Sequence, residues 1–268
     1  MPEICICIEP LFGDNVSLAD KARKVAKAGF KAIEFWFYDM PGDRNLDNLA
    51  AACKETGLAV NDIVVNAPDA SIGGSLVCPA DKEKYLARLK ESIGVANKVG
   101  CKKMITCTGN TLADVSREDQ HKSVVATLSE AAKIAAGEGF TLVLEPLNSL
   151  VDHAGYYMDN AHEAAQAVKE VNSPGLKLLW DIYHMQIMHG NVLDNIKQYL
   201  PIIGHFHSAG VPGRHELSNN ELDYTTILSR IKAWGYTGRF GLEYWPAGED
   251  HEASLAEMRK LTAAAGWD

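Results

Sequence analysis

Eight short β-branched runs alternate with eight helix-patterned stretches from end to end of this chain. That order is met by a parallel sheet with crossover helices. The strand candidates are 3–9, 31–37, 59–66, 102–107, 140–145, 176–181, 201–208 and 238–243. The helical patterns fall near 18–28, 46–57, 81–99, 117–136, 159–170, 190–199, 222–234 and 252–264. Eight βα units in about 250 residues is the inventory of a (β/α)8 barrel, and the chain of 268 residues is read as a single such domain over 1–268. A doubly wound open sheet also holds eight strands. No glycine-rich phosphate turn follows any run here, since Gly73-Gly74 and Gly109-Asn110 are isolated turn glycines.

The punctuation agrees. Gly29, Gly57, Gly100, Gly139 and Gly235 each close a helical pattern and open a strand, the place where a left-handed residue ends a helix. One local grammar used five times suggests one repeating unit without a linker. The longest stretch without a pattern, roughly 67–80, is long enough to suspect a lid or a binding loop.

Charge and cysteine content narrow the partners. A formal net charge of -9 argues against nucleic acid, whose phosphates call for a basic patch. No run of 18 or more apolar residues exists, so no membrane-spanning helix is expected. The amino terminus enters a strand-like pattern at once, without a basic n-region or a cleavage site, so no secretory signal is expected. Six cysteines include no CxxC pair and several lie in apolar runs, which fits a reducing cytoplasm.

In a barrel, the carboxyl ends of strands carry the chemistry. Run five ends in Glu145, run six in Asp181 with His184 one turn on, run seven in His205 and His207, and run eight in Glu243. Glu145, Asp181, His207 and Glu243 are spaced 36, 26 and 36 residues apart, close to one βα unit each, so four consecutive strands bring them to one height. Three carboxylates so placed repel one another unless a cation sits among them. Three oxygens, one nitrogen and no thiolate favour Mn²⁺, Mg²⁺ or Co²⁺ over a structural zinc.

Taken singly, each residue has a blander explanation. A lone glutamate at a strand end is usually a structural partner, and Asp181 alone would cap the following helix. A regular pleat is expected to put His205 and His207 on opposite faces. His207 is taken as the ligand because it lies nearer the strand end, and His205 as a hydrogen-bonded core residue. Phe35, Trp36, Phe37 and Trp245 either pack the barrel mouth or stack on a substrate, Trp180 belongs to the core, and Asn66 and Thr108 are weak candidates for substrate contact.

The chain resembles the xylose isomerase-like TIM barrels, and most closely their hydroxypyruvate isomerase branch. The resemblance rests on AGFKAIEFWFYD, VVNAPD, KVGCKKMITCTGN, LVLEPLN, DIYHMQ, GHFHSAGVPGRHE and GLEYWP, and covers nearly the whole length. It implies that Glu145, Asp181, His207 and Glu243 bind one divalent metal ion. It further implies that Glu145 and Glu243 double as the acid/base pair, and that His184 and Arg214 contact substrate oxygens. The planar fork of Arg214 suits a carboxylate, while His215 and Glu216 belong to the loop or to a subunit contact. It implies a small sugar or keto-acid substrate and a homo-oligomer, dimer or tetramer.

Two segments depart from the isomerase pattern. That pattern has glutamine where His207 stands, a position at which ketose 3-epimerases are similar to this chain. After LEPLN the chain reads Ser149-Leu-Val-Asp-His-Ala-Gly155 in place of Arg-Asp-x-Pro-Gly. The epimerases have a substrate-binding glutamate where Val151 stands, followed by residues matched by Asp152 and His153, which makes His153 a further candidate for substrate contact. A ketose 3-epimerase and a dehydratase or decarboxylase of oxidised sugar acids are therefore the near alternatives. An apurinic endonuclease and a non-catalytic scaffold are the distant ones.

Overall fold

A computed structural model describes residues 3–267. Eight parallel strands close into a barrel in chain order. They are β1 (Ile4–Cys7), β2 (Ala32–Phe35), β3 (Ala59–Val64), β4 (Lys103–Thr106), β5 (Thr141–Leu144), β6 (Leu176–Asp181), β7 (Ile203–His207) and β8 (Phe240–Leu242). The helices are α1 (Leu18–Lys27), α2 (Leu46–Thr56), α3 (Lys82–Val99), α4 (Arg117–Gly137), α5 (Ala161–Val171), α6 (Ile182–Met188), α7 (Val192–Tyr199), α8 (Tyr224–Ala233) and α9 (His251–Ala264). The (β/α)8 expectation holds, with one helix more than expected among the described residues. The addition is α6, which leaves β6 without a loop because Asp181 both ends the strand and caps the helix: its Oδ1 accepts from the His184 backbone N–H at 3.1 Å.

Except for β6, which spans its run of 176–181 in full, each strand is shorter than its apolar run. Pro201 sits in a 3-10 turn over Leu200–Ile202, so β7 begins at Ile203 rather than 201. The runs are longer because residues just past a strand still point inward and stay buried, Glu145 and Glu243 among them. The five junction glycines all have positive φ, with Gly57 and Gly100 forming left-handed helix caps. Helix starts are equally local: Ser17 and Ser116 accept from the backbone N–H three residues on.

Alternate strand residues divide inside from outside. Ile33 and Phe35 of β2 join the large core packed between barrel and helices. Glu34 between them faces into the barrel and approaches His205 and His207. A smaller cluster, Phe37, Val64, Ala67, Ile105, Val143 and Leu179, fills the upper interior beside the mouth.

The pleat corrects one expectation. His205 and His207 are two residues apart and therefore share a face. Both point into the barrel, fully buried, with ring centroids 5.0 Å apart. The 67–80 loop is likewise not a free lid. Gly73–Val77 is buried, and the Leu76 and Val77 N–H groups both reach Thr108 O. Pro68–Ile72 and Cys78–Ala80 stay partly open to solvent, and Pro68 borders the mouth.

Candidate active site

Four residues from the ends of β5 to β8 meet at the barrel mouth. Glu145, Asp181, His207 and Glu243 each offer a ligand atom within 4.8 Å of the others, and all four are buried. His207 Nδ1 lies 3.3 Å from Glu145 Oε1 and 3.7 Å from Glu243 Oε2. Neither His207 Nδ1 nor Glu145 Oε1 has a hydrogen-bond partner, although both are shut off from solvent. Orphaned polar atoms at such depth are costly.

The electrostatics point the same way. Burial pushes the Asp181 carboxyl up to about 7; Arg214 offsets part of the rise and Glu145 adds to it. Burial also raises Glu145, against the pull of His207. Burial disfavours the imidazolium of His207, yet Glu34, Glu243 and Glu145 hold its proton well above the usual imidazole range. A cluster of carboxylates is thus drawing positive charge from whatever group supplies it. Three oxygens and one nitrogen with lone pairs to donate fit a divalent cation.

The wall around this cluster is uneven. A cavity of roughly 260 Å³ is lined by the polar Glu145, His153, Arg214 and Glu243 and by the apolar Trp36, Phe37, Val64 and Ile105 among others. Arg214 adopts a left-handed φ of 58° in the turn after β7. Its guanidinium Nη2 lies 2.5 Å from Glu243 Oε2, with its central carbon 5.1 Å from the Tyr183 ring and 4.8 Å from the Trp245 ring. His215 Nδ1 and Glu216 do belong to the loop, tying it to the segment after β8 through Trp245 O and the Ala247 N–H.

His184 is fully buried behind Asp181. The Asn148 backbone and side-chain N–H groups both face its Nδ1, at 3.2 and 2.6 Å. Two donors require an acceptor, so the ring proton sits on Nε2, 3.6 Å from Asp181 Oδ2 and without a hydrogen-bond partner. Burial, with Arg214 behind it, keeps this imidazole neutral by holding its pKa well below the ordinary value. That N–H is turned toward Asp181, and His184 does not itself line the cavity.

The remaining candidates separate. His153 reaches the cavity wall, 5.4 Å ring to ring from His184. Trp36, Phe37 and Trp245 line the mouth, while Phe35 and Trp180 are core residues. Asn66 and Thr108 are buried and turned to the loops: the Asn66 amide binds Gly74 O and Cys107 O, and the Thr108 hydroxyl meets Gly109 O. Val151 is 67% exposed, and Asp152 is held by Asn148 Nδ2 and Tyr183 Oη.

Sequence reasoning overlooked several neighbours. Trp36 Nε1 donates to Glu243 Oε1 at 2.7 Å, which no strand-end rule assigns. Glu34 and Asp62, inside β2 and β3, form a second buried group with His205 and His207. Their signal was present: a carboxylate inside a strand covered on both faces calls for a partner.

The closed parallel barrel, with Glu145, Asp181, His207 and Glu243 gathered at the ends of its last four strands, is of the xylose isomerase-like TIM barrel class. The model of the xylose isomerase-like TIM barrel family matches residues 22–261, and the chain belongs to this family. Among individual proteins, it is 31% identical to hydroxypyruvate isomerase of Escherichia coli, over 88% of this chain and 90% of that one. It is 29% identical to 2-oxo-tetronate isomerase of Cupriavidus necator, over 92% of this chain and 94% of that one. The crystal structure of an AP endonuclease, family 2, from Brucella melitensis superposes with a TM-score of 0.88 at 28% identity, covering 97% of this chain and 99% of that one.

Proposed function

We propose that this protein is a divalent-metal-dependent sugar-acid isomerase, interconverting hydroxypyruvate and tartronate semialdehyde or a closely related short keto sugar acid. The observation that carries the reading is the convergence of Glu145, Asp181, His207 and Glu243 beside Arg214 at one cavity. The names of the relatives at 31% and 29% identity support the class of substrate.

Glu145, Asp181, His207 and Glu243 would hold one Mn²⁺ or Mg²⁺ ion, with Co²⁺ as a substitute. When bound, the ion supplies positive charge beside the substrate's carbonyl and hydroxyl oxygens, which lowers the cost of charge developing there. Arg214 takes the substrate carboxylate in its planar fork. That contact competes with its pairing to Glu243 and so releases a carboxylate oxygen at the reacting carbons. One of Glu145 and Glu243 removes the proton from the carbon next to the carbonyl. The same or the opposite carboxylate returns it to the neighbouring carbon, while the hydroxyl proton passes to the former carbonyl oxygen. From behind Asp181, His184 turns its Nε2 proton toward that carboxylate, and His153 closes the wall. Trp36, Trp245 and Phe37 shed water from the mouth.

The epimerase alternative rests on His207 and His153. Against it, the position of the epimerases' substrate-binding glutamate is Val151, exposed and unable to accept a hydrogen bond through its side chain. An apurinic endonuclease needs further metal ligands at the ends of the early strands, where this cavity presents Val64, Ile105 and Cys107, while Glu34 and Asp62 lie inside β2 and β3 and do not line it.

The test is a product analysis by NMR with Mn²⁺-loaded protein. Hydroxypyruvate and 2-oxo-tetronate are expected to isomerise, and D-fructose and D-tagatose to remain unepimerised at C3. Epimerisation of the ketoses with inert keto acids would overturn the reading.

A further inference from the structure

The floor beneath the site holds charged groups that the proposed reaction does not use. Glu34 on β2 is 1% exposed, and its two oxygens are divided. Oε2 accepts from the Cys5 thiol at 2.9 Å and lies 3.0 Å from His205 Nε2. Oε1 has no hydrogen-bond partner and stands 3.1 Å from His207 Nε2, somewhat off the ring's N–H axis. The opposite ring nitrogen of the same histidine, Nδ1, is the one facing Glu145 and Glu243.

The barrel makes room for this pair. A Cβ on Gly241 of β8 would lie 2.7 Å from Glu34 Oε1 and 2.7 Å from His207 Cδ2. Bare backbone at 241 therefore lets carboxylate and ring approach each other across the floor.

We infer that Glu34 is a positioning residue for His207: it fixes the ring proton on Nε2 and leaves Nδ1 bare for the metal ion. This rests on the metal reading of the site given above. A ligating imidazole needs its other N–H held by an acceptor, which sets tautomer and orientation and raises ligand basicity. Cys5 and His205 keep the Glu34 side chain from turning away.

Glutamine at 34 is isosteric but inverts the polarity. Its oxygen goes to the Cys5 thiol, which needs an acceptor, so its NH₂ faces His207 Nε2. The ring proton is then driven to Nδ1, the wrong tautomer for binding, as when an orienting carboxylate of a catalytic histidine is amidated.

The experiment titrates Mn²⁺ into metal-free wild type, Glu34→Gln and Glu34→Asp, counting free Mn²⁺ by EPR. It is joined by ¹⁵N shifts of His207 in the Mg²⁺-loaded proteins. Wild type is expected to take one ion per chain with Nε2 protonated. Glu34→Gln is expected to bind roughly 10–100-fold more weakly, and Glu34→Asp less weakly than that, with Nε2 still protonated. Should Glu34→Gln not fold, the Glu34→Asp shift carries the comparison, and unchanged affinity there counts against the role. Equal affinity and an unchanged tautomer in Glu34→Gln overturn the assignment alone. Two ions per wild-type chain, one lost in Glu34→Gln, also overturn it, in favour of a second ion among Glu34, Asp62 and His205. A wild type that binds no ion removes the reading beneath it.

Discussion

Trp36 and Glu243 are joined at the barrel mouth: the indole Nε1 donates to Glu243 Oε1 at 2.7 Å, although 207 residues separate them. The bond fixes one oxygen of a proposed acid/base residue, while Arg214 holds the other at 2.5 Å. A hydrogen bond to a charged group is worth about 1.5–3 kcal/mol. Trp36→Phe keeps most of the ring and loses the donor. It is expected to lower kcat/KM by about 10-fold or more with little change in melting temperature. Steady-state kinetics on hydroxypyruvate measure this, and unchanged kcat/KM contradicts it.

Arg214 lies between the Tyr183 and Trp245 rings with its fork toward Glu243. Arg214→Lys retains charge but loses the two-point geometry and the stacking. KM for a keto acid is expected to rise roughly 10–100-fold, with a smaller fall in kcat. A loss confined to kcat would show that Arg214 acts on the reacting carbons rather than on the carboxylate.

Burial lifts Asp181 to about 7 and raises Glu145 as well. In the unfolded chain the Asp181 carboxyl ionises near 3.8. Between those values the folded metal-free protein holds more protons than the unfolded chain, so these groups make stability fall as pH rises through that window. A metal ion replaces the protons. The melting-temperature gain from saturating Mn²⁺ is therefore expected to be larger at pH 8 than at pH 5.5, and Asp181→Asn to reduce the difference. Calorimetry at the two pH values decides it, and a larger gain at pH 5.5 contradicts it.

Glu145→Gln and Glu243→Gln remove the proposed acid/base groups with little change of shape. Each is expected to lose at least about 100-fold in the rate of solvent-deuterium incorporation into the keto acid, the range typical of a positioned acid or base. Full exchange in either variant removes that residue from proton transfer.

The barrel was legible because alternation, strand-to-strand spacing and five junction glycines are local properties, and the spacing of Glu145, Asp181, His207 and Glu243 followed from it. Asp181 satisfied both of its readings, capping α6 while joining the cluster. The pleat was misread: residues 205 and 207 share a face, so His205, a hydrogen-bonded core residue as expected, lies beside His207 inside the barrel. Glu34 and Asp62 escaped notice because only strand ends were searched, whereas a closed barrel also buries the middles of its strands. The Trp36–Glu243 bond was beyond sequence altogether, since it depends on barrel closure, which sets β8 and β2 on either side of β1.

Anomalous diffraction from crystals equilibrated with Mn²⁺ tests the central claim most directly. One peak per chain is predicted, within coordination distance of Glu145, Asp181, His207 Nδ1 and Glu243 together. No peak there, or a peak touching only Glu34, Asp62 and His205, would contradict it.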